Sequence, residues 1–77
     1  MRNIKLIWDF KGSYANQTAL HHKKHIQEFL HTTNFESIAL ETQQLSELHA
    51  IAYLVVSEKD MIPIRDALKP HRATVYP

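Results

Sequence analysis

The chain has 77 residues, nine lysines and arginines, eight aspartates and glutamates, and a formal net charge of +1. This length suits one domain, residues 1–77, and the near-neutral charge argues against a dedicated nucleic-acid binder. The absence of cysteine excludes disulfides and thiolate metal sites. No run approaches the roughly 20 apolar residues of a membrane span, and the first three residues lead directly into an apolar segment. We therefore expect a cytoplasmic protein without a signal peptide.

The first half of the chain predicts a strand followed by a helix. Apolar residues alternate over residues 4–10, as in a strand. Gly12, the only glycine, follows this run, so we expect a turn there with a positive φ. Residues 16–32 carry an apolar stripe at spacings of three and four, which predicts a helix with Asn16 or Thr18 as its cap.

The second half predicts two strands, a helix and a last strand. The predicted ranges are residues 35–43 and 49–57 for the strands, about 60–69 for the helix, and 72–76 for the last strand. Ser57 with Asp60 approximates a capping box, which would begin the helix at residues 57–60. Pro63 favours a later start, with Asp60 as the cap and the proline within the first turn. Pro70 ends the helix.

The predicted order of elements is β-α-β-β-α-β. This order is typical of the α+β class and of the ferredoxin-like fold. Right-handed crossovers place the strands in the order 4-1-3-2, in a four-stranded antiparallel sheet with both helices on one face. The two most apolar strands, the first and the third, are then central.

The face of the sheet away from the helices, here called the open face, is predicted to be apolar. Its expected residues are Ile7, Ala39, Ile51, Tyr53, Val55 and Tyr76. Because monomers rarely expose a large apolar patch, we expect a symmetric homodimer that packs sheet to sheet. The alternative is a monomer in which an extended C-terminus or mixed side-chain parity covers this face.

Polar residues from four segments are predicted to meet at one end of the sheet. The C-terminal end of the first strand should lie beside the starts of the third and fourth strands and of the first helix. The polar residues at this end are Asp9, Tyr14, His21, His22, His49, His71 and Arg72. Strand parity directs Asp9, His49 and Arg72 to the open face. The same parity directs His22 and His71 to the helix side.

This convergence favours binding of a small molecule, with acid/base chemistry as the candidate reaction. His49, Asp9 and His22 are the candidate catalytic residues, because a histidine beside a carboxylate exchanges protons near neutral pH. The candidate ligand-binding residues are Trp8, Tyr14, His21, Tyr53, His71 and Arg72. Arg72 would fix an anionic group of the ligand. No cofactor is expected, and the simpler alternative is a salt link at the strand ends.

A metal site is a second hypothesis. His21 and His25 are four residues apart on the predicted helix, so both rings can meet one ion, with Glu28 or His22 nearby. This spacing is common by chance on solvated helices, and adventitious binding of zinc or nickel is the expected outcome. We therefore predict no physiological metal.

A non-catalytic module is a third hypothesis, in which the open face binds a protein or RNA. RNA-recognition motifs share this order of elements and stack bases on aromatic residues of the two central strands. Tyr53 fits that pattern, whereas Ile7 occupies the matching face of the first strand. Nucleic acid is therefore not the expected partner. The absence of a phosphate loop or a nucleophile motif favours an interaction module over most enzyme classes.

The layout resembles the dimeric α/β-barrel superfamily, whose small ferredoxin-like chains pair through their sheets. Many members carry a histidine early in the first helix, as in Thr-Ala-Leu-His-His-Lys-Lys-His at residues 18–25. Activities in that superfamily range from monooxygenases and isomerases to proteins without an assigned role. The resemblance implies a small-molecule pocket inside the dimer and specifies no reaction. This chain is shorter than most members, which would make the pocket small.

Overall fold

A computed structural model describes residues 2–77, in which four strands and two helices follow the predicted order. The elements are β1 (Asn3–Lys11), α1 (Ala15–Thr33), β2 (Ala39–Ser46), β3 (His49–Ser57), α2 (Glu58–Leu68) and β4 (Arg72–Tyr76). The expectation for the N-terminus rests partly on Met1, which lies outside the described residues. Across residues 2–77, neither helix combines the length and apolar character needed to cross a membrane.

The four strands form one antiparallel sheet in the order β2-β3-β1-β4. Read from the other edge, this is the predicted order 4-1-3-2, and the ferredoxin-like fold is confirmed. β1 pairs with β3 along its whole length, from Asn3 opposite Ser57 to Lys11 opposite His49. Since β1 lies between β3 and β4 and is antiparallel to both, its C-terminal end lies beside the first residues of β3 and β4.

Both helices pack against the same face of the sheet. The main core consists of Ile4, Leu6 and Trp8 from β1, Leu54 and Val56 from β3, Ile26 from α1, and Ile64 from α2. A second cluster, here called the alanine seam, consists of Ala15, Ala19, Ala50 and Ala52, with Phe10 beside it. The seam joins the first half of α1 to the start of β3 through methyl groups.

Two predicted boundaries in the first half of the chain are wrong. The N-cap of α1 is Tyr14, and neither Asn16 nor Thr18 caps the helix. The Thr18 hydroxyl instead donates to the Tyr14 carbonyl at 2.9 Å. β2 begins at Ala39 rather than at residue 35, because the Phe35 ring stacks on Phe29, with centroids 6.3 Å apart. The predicted positive φ at Gly12 is confirmed, at 112°.

The predicted late start of the second helix is also wrong. α2 begins at Glu58, directly after β3, and Ser57 rather than Asp60 is its N-cap. Acidic residues in a first turn favour a helix start through the helix dipole, and both Glu58 and Asp60 lie there. Pro63 is therefore the sixth residue of the helix, where its missing N–H removes one intrahelical bond.

The open face differs from the bare apolar surface predicted for it. Ile7 and Ile51 are each only 4% exposed, and Val55 is fully buried. Longer side chains stand around them, including Lys5, whose ammonium group lies 4.2 Å from the centre of the Tyr53 ring. Ile7, Ile51 and Val55 are therefore covered within a single chain, and the long Lys5 side chain shields part of Tyr53.

Candidate functional site

Asp9 is the centre of a group of charged side chains on the open face. Its Oδ1 atom accepts a hydrogen bond from His49 Nε2 at 2.9 Å. Its two oxygens also accept from Arg72, with Nε at 2.9 Å from Oδ2 and an Nη atom at 3.1 Å from Oδ1. Asp9, His49 and Arg72 are called the Asp9 cluster below. They come from three neighbouring strands, so the sheet itself positions them.

The guanidinium group of Arg72 dominates the electrostatics of the cluster. Its hydrogen bond to the carboxylate lowers the pKa of Asp9 from 3.8 to about 2, against the opposing effect of partial burial. The hydrogen bond from His49 adds to the lowering. The same contact raises the pKa of Arg72. Asp9 is therefore an anion throughout the neutral and mildly acidic range.

The contact with Asp9 also fixes the tautomer of His49. An ionised carboxylate can only accept hydrogen bonds, so the proton of the neutral imidazole lies on Nε2. The lone pair is then on Nδ1, which is the atom that can take up a second proton. The His49 side chain is 27% exposed and that of Asp9 is 21% exposed, so solvent or a small molecule can reach the pair.

His71 is joined to the Asp9 cluster by a hydrogen bond with the backbone of Asp9. Its Nδ1 atom accepts a hydrogen bond from the Asp9 N–H at 2.8 Å, and its own N–H donates to the Ile7 carbonyl at 2.9 Å. An imidazole nitrogen accepts only when it carries no proton. His71 is therefore held with its proton on Nε2, and its ring lies against the edge of Phe10.

His22 lies on the helix side of the sheet, as its helical position predicts. Its ring centroid is 5.0 Å from that of Trp8 and 5.5 Å from that of Phe10. Its Nε2 atom is buried and has no hydrogen-bond partner. Burial is the main cause that lowers the pKa of His22, and the histidines around it lower it further. The sheet separates His22 from the Asp9 carboxylate, so the three candidate catalytic residues do not form one group.

Two other predicted ligand-binding residues, Trp8 and Tyr14, lie outside the Asp9 cluster. Trp8 is only 2% exposed within the main core, and its indole N–H donates to the Leu68 carbonyl at 3.0 Å. It therefore joins β1 to the end of α2 and presents no surface to a ligand. Tyr14 is exposed at the start of α1.

The remaining predicted residues lie on opposite sides of the sheet. His21 lies on α1, where its Nε2 atom is 2.9 Å from that of His25. Tyr53 lies on the open face beneath Lys5. The sequence prediction left out Lys5 and Lys11, although their parity on β1 matches that of Asp9 and would have identified them.

No group of three or more histidine, aspartate, glutamate or cysteine side chains within residues 2–77 is arranged to hold a metal ion. His21 and His25 supply two such groups. A cavity of about 530 Å³ opens at the opposite end of the molecule, between the end of α1 and the start of α2. Phe35, Ile38 and Lys59 are among its lining residues, and none of the predicted site residues lines it.

Comparison of the chain with family models, with curated proteins and with solved structures found no match. The resemblance to the dimeric α/β-barrel superfamily therefore stays an expectation drawn from the layout of the chain. Any function must be argued from the side chains of the site.

Proposed function

We propose that this protein binds a small molecule with an anionic group at the Asp9 cluster, and that His49 exchanges a proton with it. The observation that supports this proposal is the Asp9 carboxylate held by both His49 and Arg72 on an accessible sheet face. An oriented histidine and an arginine then lie side by side. This pairing suits a ligand that carries both a negative charge and an exchangeable proton.

The charge of the open face favours an anionic ligand. Strand parity places three cations there, Lys5, Lys11 and Arg72, against the two anions Asp9 and Glu41. Lys11 is directly opposite His49, so a cation flanks the cluster on the side away from Arg72. Asp9 uses two of the five N–H groups of Arg72, and the side chain is 50% exposed.

The chemistry of the site favours proton exchange over covalent catalysis. The Nδ1 atom of His49 carries the lone pair, and the Asp9 carboxylate orients the ring through its hydrogen bond to Nε2. The hydrogen-bond partner of His49 at this site is the Asp9 carboxylate. The pair can therefore act as an acid or base toward a bound molecule, without a nucleophile on the protein.

Titration of the protein with inorganic phosphate and with benzoate, at constant ionic strength, tests this proposal. We expect ¹H–¹⁵N NMR shifts that centre on Asp9, His49 and Arg72 and saturate with one site. Arg72→Gln should abolish the saturable shifts. Arg65→Gln is the matched control, because Arg65 is an equally exposed arginine paired with a neighbouring carboxylate on α2. Saturation that persists in Arg72→Gln, or shifts that centre elsewhere, would contradict the proposal.

We further propose that two chains form a homodimer through their open faces and that the protein is cytoplasmic. The bare apolar face originally expected is absent, since Ile7 and Ile51 are covered. The support that remains is the geometry of the site, because a second sheet over the open face would enclose the Asp9 cluster on its exposed side.

Light scattering at micromolar concentrations tests the dimer, and we expect a mass near twice the 9.0 kDa of one chain. A monomer at high micromolar concentration would contradict the dimer, and it would leave the open face accessible to larger partners. Fractionation of cells that express the protein tests the cytoplasmic location.

A further inference from the structure

All histidines except His31 lie at the end of the molecule that carries the Asp9 cluster. Four of them, His21, His22, His25 and His71, are called the histidine cluster below. His22 and His71 contact the Phe10 ring on the helix side of β1, and His21 and His25 contact each other on α1. The contacts of this cluster share one property, which is that each is broken or weakened when all of its imidazole rings carry a second proton.

The first such contact is the hydrogen bond that His71 accepts from the Asp9 N–H at 2.8 Å. Protonation of His71 would place a hydrogen on Nδ1, opposite the hydrogen of the amide. The bond would then become a repulsion between two donors. Because the next residue, Arg72, holds the Asp9 carboxylate, this change acts directly on the Asp9 cluster.

The second contact joins His21 and His25, whose Nε2 atoms are 2.9 Å apart with the rings nearly perpendicular. One ring must donate and the other must accept, so this contact exists only while at least one of the two is neutral. Full protonation places two cations next to each other on adjacent turns of α1. Glu28 lies 3.9 Å from His25 and is well exposed, so it screens this repulsion only weakly.

The third is the contact of the half-buried His22 ring, whose Nε2 atom is buried without a hydrogen-bond partner. Its neighbours that carry or can carry charge are His21 and His25 on α1 and His71 before β4. β1 presents only the rings of Trp8 and Phe10 to it. No carboxylate is among the groups that act on His22 in the described chain. A proton on His22 would therefore be a buried charge among other bases, with no anion to compensate it.

We propose that mild acid releases the first half of α1 and His71 from β1, and thereby dismantles the Asp9 cluster, so that the site forms only near neutral pH. This regulation rests on the function proposed above. We call the state with α1 and His71 packed against β1 closed, and the state in which both are released open. The closed state binds fewer protons than the open state, so falling pH favours the open state. Since burial lowers the pKa of His22 below its ordinary 6.5, the opening is expected to grow as the pH falls below 6.5.

Amide hydrogen exchange of the full chain, followed by NMR at pH 7 and pH 5, tests the proposal. After correction for the intrinsic exchange rates, we expect protection in residues 15–25 to fall at least tenfold at pH 5. Protection in α2, residues 58–68, should change less than threefold. Unchanged protection in α1, or an equal loss in both helices, would overturn the proposal.

Variants identify the groups responsible. In the double variant His22→Leu, His71→Asn, the leucine fills the space of the His22 ring beside Trp8 and Phe10. The asparagine side-chain oxygen can accept the hydrogen bond from the Asp9 N–H, and neither new residue titrates. We expect it to keep its α1 protection at pH 5. His31→Gln is the control, because it removes an exposed histidine from the last turn of α1. It should behave like the unaltered chain, and the proposal fails if it does not.

The exchange measurement also separates this proposal from the proposed function, because it uses no ligand. Opening at pH 5 without saturable phosphate or benzoate binding at pH 7 would leave the acid response in place and remove the proposed function. Binding that is equally strong at pH 7 and pH 5 would remove the regulation and leave the function.

Discussion

Trp8→Ala is expected to lower the free energy of unfolding by about 3–5 kcal/mol, the range for removal of a buried large aromatic ring. A chain of this length has only about 4–12 kcal/mol of stability in total, so this loss is a large fraction of it and the variant should unfold at a much lower urea concentration. Trp8 has this effect because it packs on both helices through the main core and donates to the Leu68 carbonyl. Urea unfolding followed by circular dichroism measures the loss.

Trp8→Phe is the matched variant for this prediction. It keeps most of the apolar ring volume and removes the indole N–H, which leaves the Leu68 carbonyl without its donor. We expect a loss of about 1–3 kcal/mol, the range for a polar group that loses its partner. A loss below 1 kcal/mol for Trp8→Ala would show that the core does not depend on this ring.

Asp9→Ala is expected to abolish saturable binding of phosphate at the open face while the chain stays folded. Arg72 and His49 lose their common partner, so neither side chain keeps its position. The loss of stability should be only about 1 kcal/mol, because Arg72 is half exposed and water screens the pair. Phosphate titration by NMR and urea unfolding of the same samples measure both effects.

The acid stability of the protein provides a second measurement on Asp9. The pKa of this carboxyl is about 2 in the folded chain and has its ordinary value near 3.8 when unfolded. Between these values the unfolded chain binds more protons, so the contribution of Asp9 is complete above pH 4 and is lost as the pH falls toward 2. Asp9→Asn should remove this part of the pH dependence, which lies well below the range where histidines titrate.

Asp66→Asn is the control for the acid measurement. Asp66 is also paired with an arginine, at 3.4 Å, but it is 66% exposed and its partner is the preceding residue. We expect no change in acid stability, because exposed pairs contribute little. An Asp9→Asn variant whose acid unfolding matches that of the unaltered chain would show that the contact with Arg72 is weak in solution.

The sequence predicts the sheet well because strand alternation and chain order leave few topologies. The same alternation predicts that Asp9, His49 and Arg72 share a face, and their contacts confirm it. The starts of α2 and β2 are not predicted, since Pro63 and the apolar Phe35 suggest boundaries that side-chain packing and helix charge override. Propensity rules describe single residues, and these boundaries depend on neighbours in space.

Contacts that depend on how far a side chain extends also cannot be predicted from the sequence. Parity predicts that His71 turns toward the helix side, but it does not predict that the ring accepts a hydrogen bond from the backbone of Asp9. The position of Lys5 over Tyr53 is another such contact, and it covers apolar residues that alternation alone would leave bare. The predicted open face is more apolar than the observed one, where Ile7, Ile51 and Val55 are buried and Lys5 lies over Tyr53.

The alanine seam determines how far α1 stands from the sheet at the histidine end. Methyl groups of Ala15 and Ala19 rest on those of Ala50 and Ala52, so the helix lies close to the strands there. His22 follows Ala19 by three residues and so faces the same side of the helix. The seam thus works as a spacer that sets the depth of the His22 ring. The packing around the buried Nε2 atom of His22 therefore depends in part on side chains without a single polar atom.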